Sequence, residues 1–226
     1  MKEKSLATQL YHQEDPSITN FPNPITERVN ALTDEQKIEI IEEHFRDIML
    51  VLGLDVNDGS LAKTPRRVAE MYVREVFSGL KRENFPRISI VKDCFHQDHN
   101  AHIVFVKVTF TSFCEHHFVP IIGSAYVAYK PHNKLIGLSK IPRLVRFFAK
   151  RPQLQERLTA QIADSLSQVL GTNDVAVSIN ATHFCVLARG IEDQDSIMVT
   201  NVLRGAFDTN DALRREFFEA IQRKTT

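Results

Sequence analysis

Tryptophan is absent from the 226-residue chain, and cysteine is scarce, with three copies. Cys94, Cys114 and Cys185 are too few, and odd in number, to make the disulfide framework of a small secreted fold. A reduced, cytoplasmic protein is expected. Neither charge sign is in surplus, since 28 Lys and Arg balance 28 Asp and Glu. A general nucleic-acid or membrane-surface binder needs a positive excess, so neither partner is expected. Long apolar runs are missing too. The longest stretch free of charge and histidine, Phe118 to Tyr129, contains Pro and Gly and falls far short of the ~18 residues of a membrane-spanning helix. The N-terminal MKEKSLATQLYHQED has no apolar core of a secretory signal. No internal repeat or low-complexity tract occurs. What is present is ordinary for a globular chain, 43% hydrophobic and 25% charged. The length suggests one domain with an appendage.

Residues 1–32 lack clear periodicity and carry Pro16, Pro22 and Pro24 among polar residues. They read as a mobile or loosely docked arm. A helical region is expected over residues 33–102. Thr33 and Gln36 have capping-box spacing. Ile38, Ile41, Phe45, Ile48 and Leu52 then trace one helical face, and Gly53 stands where a helix ends. A second helix is expected from Thr64-Pro65 to about Gly79. After a polar stretch, the period changes to two at Val104, Val106, Val108 and Phe110, a strand. Another strand-like segment covers Phe118–Tyr129. Helices follow at Lys140–Arg151 and Leu154–Leu170, strands at about Val175–Val186 and Ile191–Val199, and a last helix at Asp211–Arg223. Residues 103–226 thus read ββααββ, an α+β domain with an antiparallel sheet.

Chemistry-bearing residues concentrate in this second part. Cys114 and His117 form a C-x-x-H pair within Cys114-Glu115-His116-His117, able to reach one metal from a turn or simply to end a strand. On the expected third strand, alternation puts His183 and Cys185 on one side. Cys185 could then complete a Cys/His/Cys set that leaves a fourth position for water, as catalytic zinc does, with His183 beside it. Two buried cysteines acting as small hydrophobes would also satisfy the pattern. Cys94, His96, His99 and His102 form a second Cys/His run, better read as a solvated loop. Arg143, Arg146 and Lys150 stripe one helix behind Ser139 and Lys140, where backbone N–H groups favour anions. That stripe suits a polyphosphate or a solvated face. Gln155-Glu156 opens the next helix, where a carboxylate can serve the helix dipole or accept from the N1–H and N2–H₂ edge of guanine.

Thr111-Ser112-Phe113-Cys114-Glu115-His116-His117-Phe118, Gly137-Leu138-Ser139-Lys140-Ile141, the run from Arg151 to Thr159, and His183-Phe184-Cys185 together resemble GTP cyclohydrolase I. The similarity covers about Thr33 to the C-terminal helix. It implies the tunnelling fold, in which sheets of several subunits join into a barrel, and a homodecamer of two stacked pentamers. It implies zinc on Cys114, His117 and Cys185, His183 as general acid/base, and His116 and Ser139 near the ribose. Gln155 and Glu156 would hold guanine. Lys140, Arg143, Arg189 and a neighbouring subunit's Arg67 would bind the triphosphate. The implied reaction takes GTP and water to formate and 7,8-dihydroneopterin triphosphate, the first step of folate-type cofactor synthesis, by attack of an activated water on C8, ring opening and reclosure.

Two features depart from that family pattern. Glu70 stands where some bacterial members carry Lys, and Ser196–Gly205 lacks the family's Thr-rich, double-Gly character. Two rival readings are a 7-deazaguanine nitrile reductase of the same fold and a non-catalytic zinc- and nucleotide-binding module. The Cys-Glu-His-His motif counts against the first, and His183 with a complete ligand set against the second.

Overall fold

The computed structural model describes residues 9–11, 32–92, 103–132 and 134–223. The Cys94/His96/His99/His102 run and most of the 1–32 arm lie outside them. Three residues of that arm, Gln9–Tyr11, form strand β1, paired antiparallel with β2 (Ile88–Lys92). On its other side β2 pairs with β5 (Lys134–Ile136), making a three-stranded sheet.

Helix α1 (Asp34–Val51) starts as its sequence predicts. The Thr33 hydroxyl accepts from the Gln36 N–H at 3.3 Å, and the Gln36 side chain accepts from the Thr33 N–H at 2.9 Å. Gly53 follows its end at φ 80°, a left-handed position that suits glycine. The single helix expected from Thr64 is instead broken. α2 (Thr64–Glu70), with Pro65 in its first turn, passes into a π-helical turn, Met71–Val76. There the Phe77 N–H reaches back five residues to the Tyr72 carbonyl. The widened turn leaves the Tyr72 and Phe77 rings stacked, centroids 5.3 Å apart. Ile38 of α1 packs on Ala69 and Val73 in a core of its own.

The main sheet has the order β6-β3-β4-β7-β8. Its strands are β3 (Val104–Cys114), β4 (Pro120–Tyr129), β6 (Pro152–Gln153), β7 (Val175–His183) and β8 (Met198–Leu203). All pairs are antiparallel except β3 with β6. Alternation along β4 divides the core. Ala125, Val127 and Tyr129 face helices α3 (Lys140–Ala149) and α4 (Gln155–Leu170), in one cluster with Leu144, Phe148, Leu158, Ile162 and Leu166. Tyr126 and Ala128 face the other way, against Phe207 of α6 (Ala206–Thr209) and Phe217 and Ile221 of α7 (Asp211–Arg223). The chain is α+β, with mixed helices and a mainly antiparallel sheet.

Two expected strands are shorter than their sequence suggests. β7 stops at His183, and Phe184–Leu187 form a helical turn, α5. β8 begins only at Met198. Before it, the Asp195 N–H bonds the Asp193 carboxylate at 3.1 Å and Glu192 sits at φ 58°. Such side-chain-to-backbone bonds compete with the ladder and hold this segment as a loop.

The N-terminal region is pinned to the end of α3. The Gly79 N–H donates to the Lys150 carbonyl, and Arg151 Nε donates to the Gly79 carbonyl, both at 2.8 Å. The buried Arg151 guanidinium lies 4.6 Å and 4.9 Å from the Phe147 and Phe148 ring centroids. Burial lowers its pKa to about 10, so it remains charged at neutral pH. No helix among the described residues is long and apolar enough to cross a membrane.

Candidate active site and metal centre

Strand register gathers the site at one end of the sheet. Cys114, the last residue of β3, pairs with Gln153 of β6, immediately before α4. Phe113 faces Pro120 at the start of β4, and Ile121 faces His183 at the end of β7. The turn from Cys114 to Val119 is closed by the Phe118 N–H on the Cys114 carbonyl and the Cys114 N–H on the Val119 carbonyl, each at 2.9 Å. Phe118 adopts φ 55°, a left-handed conformation costing a non-glycine residue about 1–2 kcal/mol. Its ring packs edge-on against Phe77 at 5.2 Å and Tyr72 at 6.2 Å, contacts that offset the strain. The π-helical turn of the N-terminal region therefore supports the turn that carries Cys114 and His117.

Donor atoms of Cys114, His117 and Cys185 all lie within 4.8 Å of one another. Cys114 Sγ is 3.8 Å from His117 Nδ1. Tetrahedral zinc with bonds of about 2.0–2.3 Å holds neighbouring N and S ligands roughly 3.5–3.8 Å apart, so small adjustments close the set. The route to this cluster differs from the sequence expectation. Strand alternation does not place Cys185, because β7 has ended. The α5 turn carries its thiol toward Cys114 instead. Burial pushes the Cys185 thiol up, and the Cys114 thiol beside it adds to the shift. A thiol held against its own charge is what a cation reverses, by stabilising the thiolate. A donor set of two sulfurs and one imidazole fits zinc.

His183 stands two residues before Cys185, half-buried at the end of β7. Its Nε2 is 2.8 Å from Gln155 Oε1. Burial lowers the His183 pKa, and the charge of Glu156, exposed in the first turn of α4, draws it partly back. Glu156 is thus within electrostatic reach of His183. The sequence reading foresaw neither the Gln155–His183 contact nor a second one. Arg157 grips Glu115 with both guanidinium nitrogens, at 2.5 Å and 3.3 Å, tying α4 to the residue between the candidate ligands. The only local sign of it was a lone carboxylate inside the C-x-x-H motif and an arginine in the first turn of α4.

The GTP cyclohydrolase I family model matches residues 41–222. The chain belongs to this family. It is 53% identical over 194 residues to GTP cyclohydrolase 1 of Aeromonas hydrophila, covering 86% of this chain and 88% of that protein. It is 50% identical over 194 residues to the GTP cyclohydrolase 1 of Vibrio cholerae, covering 85% and 88%. Membership leaves the nitrile-reductase reading without support.

The remaining residues that the GTP cyclohydrolase I resemblance assigns are distributed unevenly. Arg189 Nη1 lies 3.4 Å from His117 Nε2, at the candidate ligand cluster. His116 is exposed on the same turn, 3.9 Å from the Glu115 carboxylate. Ser139 and Lys140 open α3, and Arg143 is exposed on it with Arg146 and Lys150. Those three line a cavity of about 500 Å³ with Arg74 and Asn84. Arg67 is exposed on α2. No hydrogen bond or ion pair among the described residues joins Arg67, Ser139, Lys140 or Arg143 to the Cys114 cluster. Gln155 is buried, with 1% of its surface exposed. The departing Glu70 is held by Arg66 at 3.0 Å and Arg74 at 3.5 Å. The departing 196–205 segment supplies β8.

Proposed function

We propose that this chain hydrolyses GTP to formate and 7,8-dihydroneopterin triphosphate at a zinc site formed by Cys114, His117 and Cys185. One observation carries the reading. Two thiols and an imidazole converge near His183 and the Glu156 carboxylate at one end of the sheet, in a chain of the GTP cyclohydrolase I family. Zinc held there would supply a water activated near neutral pH for attack on guanine C8. Glu156 accepts from the guanine N1–H and N2–H₂, selecting guanine over adenine by leaving the wrong base unpaired. His183, its pKa lowered by burial, is neutral at pH 7 and exchanges a proton with the imidazole ring as it opens. Lys140, Arg143, Arg189 and a neighbouring subunit's Arg67 bind the triphosphate, and His116 and Ser139 contact the ribose.

The same reading extends to assembly as a tunnelling-fold homodecamer. Two features support it. The main sheet ends in β8, whose outer side finds no strand among the described residues, and one chain cannot close a barrel. The last turn of α1 exposes Ile48, Leu50, Val51 and Leu52.

The test is formate release from GTP by the zinc-loaded protein, with ATP and a chelator as controls. Release from GTP alone, abolished by the chelator and restored by zinc, is the expected result. A protein that binds zinc and GTP without releasing formate would be a non-catalytic module.

A further inference from the structure

The hydrogen bonds around Gln155 fix their own direction. Thr159 Oγ1 is 2.7 Å from the Gln155 carbonyl, which only accepts, so the Thr159 hydroxyl spends its hydrogen there. Thr159 Oγ1 also lies 2.6 Å from Thr200 Oγ1. Thr200 must therefore be the donor of that pair, and its oxygen is left as an acceptor. Around the Gln155 amide nitrogen stand three acceptors: the carbonyls of Ile179 at 3.1 Å and Met198 at 2.9 Å, and Thr200 Oγ1 at 3.2 Å. A reversed amide would put its oxygen against all three, so the nitrogen belongs there. Gln155 Oε1 consequently faces His183 Nε2, 2.8 Å away, as an acceptor. The hydrogen of that bond sits on His183 Nε2.

We propose that Gln155 is a positioning residue for His183, holding the imidazole in its Nε2–H tautomer with Nδ1 left open, rather than a side-chain contact to guanine. This rests on the function proposed above. The Gln155 side chain is enclosed, and turning it toward a base would strip donors from the Ile179 and Met198 carbonyls and an acceptor from His183. With Nε2–H committed to Gln155, Nδ1 is the atom that exchanges a proton with substrate. The arrangement matches the way outer-shell carbonyls and carboxylates orient functional imidazoles. It also gives the 196–205 segment a role. Met198 and Thr200 of β8 hold the residue that holds His183.

The experiment separates orientation from binding. Gln155→Met keeps length and bulk and removes both polar ends. Made in the zinc-loaded oligomer, it is expected to lower kcat on the order of tenfold to a hundredfold with KM for GTP within about twofold. In a His183→Ala background, calorimetric GTP affinity is expected to be the same whether or not Gln155→Met is added, because orientation no longer matters there. Thr200→Val, a milder change, guards against misfolding of the first variant and is expected to lower kcat several-fold with GTP affinity unchanged. Zinc content is measured on every variant. A rise in GTP Kd of tenfold or more on adding Gln155→Met to the His183→Ala background, or kcat unchanged in both Gln155→Met and Thr200→Val, overturns the proposal. An active parent with that outcome loses only the positioning role; a parent that releases no formate removes the proposed function and this role together.

Discussion

At the scale of single residues, the proposed site separates into groups assigned to the metal and one assigned to proton transfer. Removing one of the proposed metal ligands should cost affinity as well as chemistry, because only three protein donors would share the ion. Cys185→Ser is therefore expected to lose both zinc, by elemental analysis, and formate release. His183 has a different partner. It is hydrogen-bonded to Gln155 and stands outside the Cys114–His117–Cys185 set. His183→Ala should keep zinc at the parent's stoichiometry and lose formate release by ~10²–10⁴-fold, the usual scale for a general acid/base. Zinc falling in parallel with activity would make His183 a ligand.

At the scale of elements, two junctions hold the site's supports. One is Gly79, where the N-terminal region meets α3. A Cβ there would stand 2.1 Å from the Phe147 carbonyl oxygen and 2.7 Å from that of Lys150, both backbone atoms that cannot swing away. Gly79→Ala should destabilise the protein by about 1–3 kcal/mol, read as a lower denaturant midpoint. The Phe77–Phe118 contact lies just upstream, so weaker zinc binding should accompany the loss. The other junction is Asp174, between α4 and β7. Its carboxylate accepts from the Ala206 N–H and from His132 at 2.8 Å and 2.7 Å. Burial pushes its pKa up, but the Ala206 bond, the His132 bond and the charges of His132 and Lys130 outweigh this and leave it below 3.8. A depressed carboxylate stabilises the fold above its unfolded pKa, and that contribution vanishes as pH falls through the folded value. Asp174→Asn should thus be less stable than the parent above pH 3.8, and the gap should close below it. A gap of constant size across that range would assign the loss to packing instead of charge.

At the scale of the molecule, the proposed phosphate contacts are scattered. Arg67 lies on α2, in the N-terminal helical part, while His183 closes β7 in the sheet. No hydrogen bond or ion pair among the described residues joins Arg67 to the His183 end of the sheet. The proposed sharing of sites between subunits would account for this, with a neighbour's Arg67 supplying the contact. Mixing inactive Arg67→Ala with inactive His183→Ala subunits should then restore part of the activity, since some composite sites receive both intact residues. No recovery after confirmed subunit exchange, or full activity from a monomer in light scattering, would dismiss the shared site.

Local signals in the chain were enough to determine several elements by themselves. The Thr33/Gln36 box and Gly53 bracket α1, the alternation from Val104 marks β3, and the apolar stripe from Leu158 to Val169 marks α4. These features are legible because caps and periodicities act over a few residues. The residue types of the candidate donor set were legible too, since thiol and imidazole chemistry belongs to the residue type. Their placement was decided by tertiary structure. The ladder ends at His183 and a helical turn, not strand alternation, carries Cys185 to Cys114. The Arg157–Glu115 grip and the enclosure of Gln155 against β8 likewise join residues far apart in sequence. They depend on the register of β3, β4, β7 and β8, which is set by how the sheet buries its two faces and which no window of sequence contains.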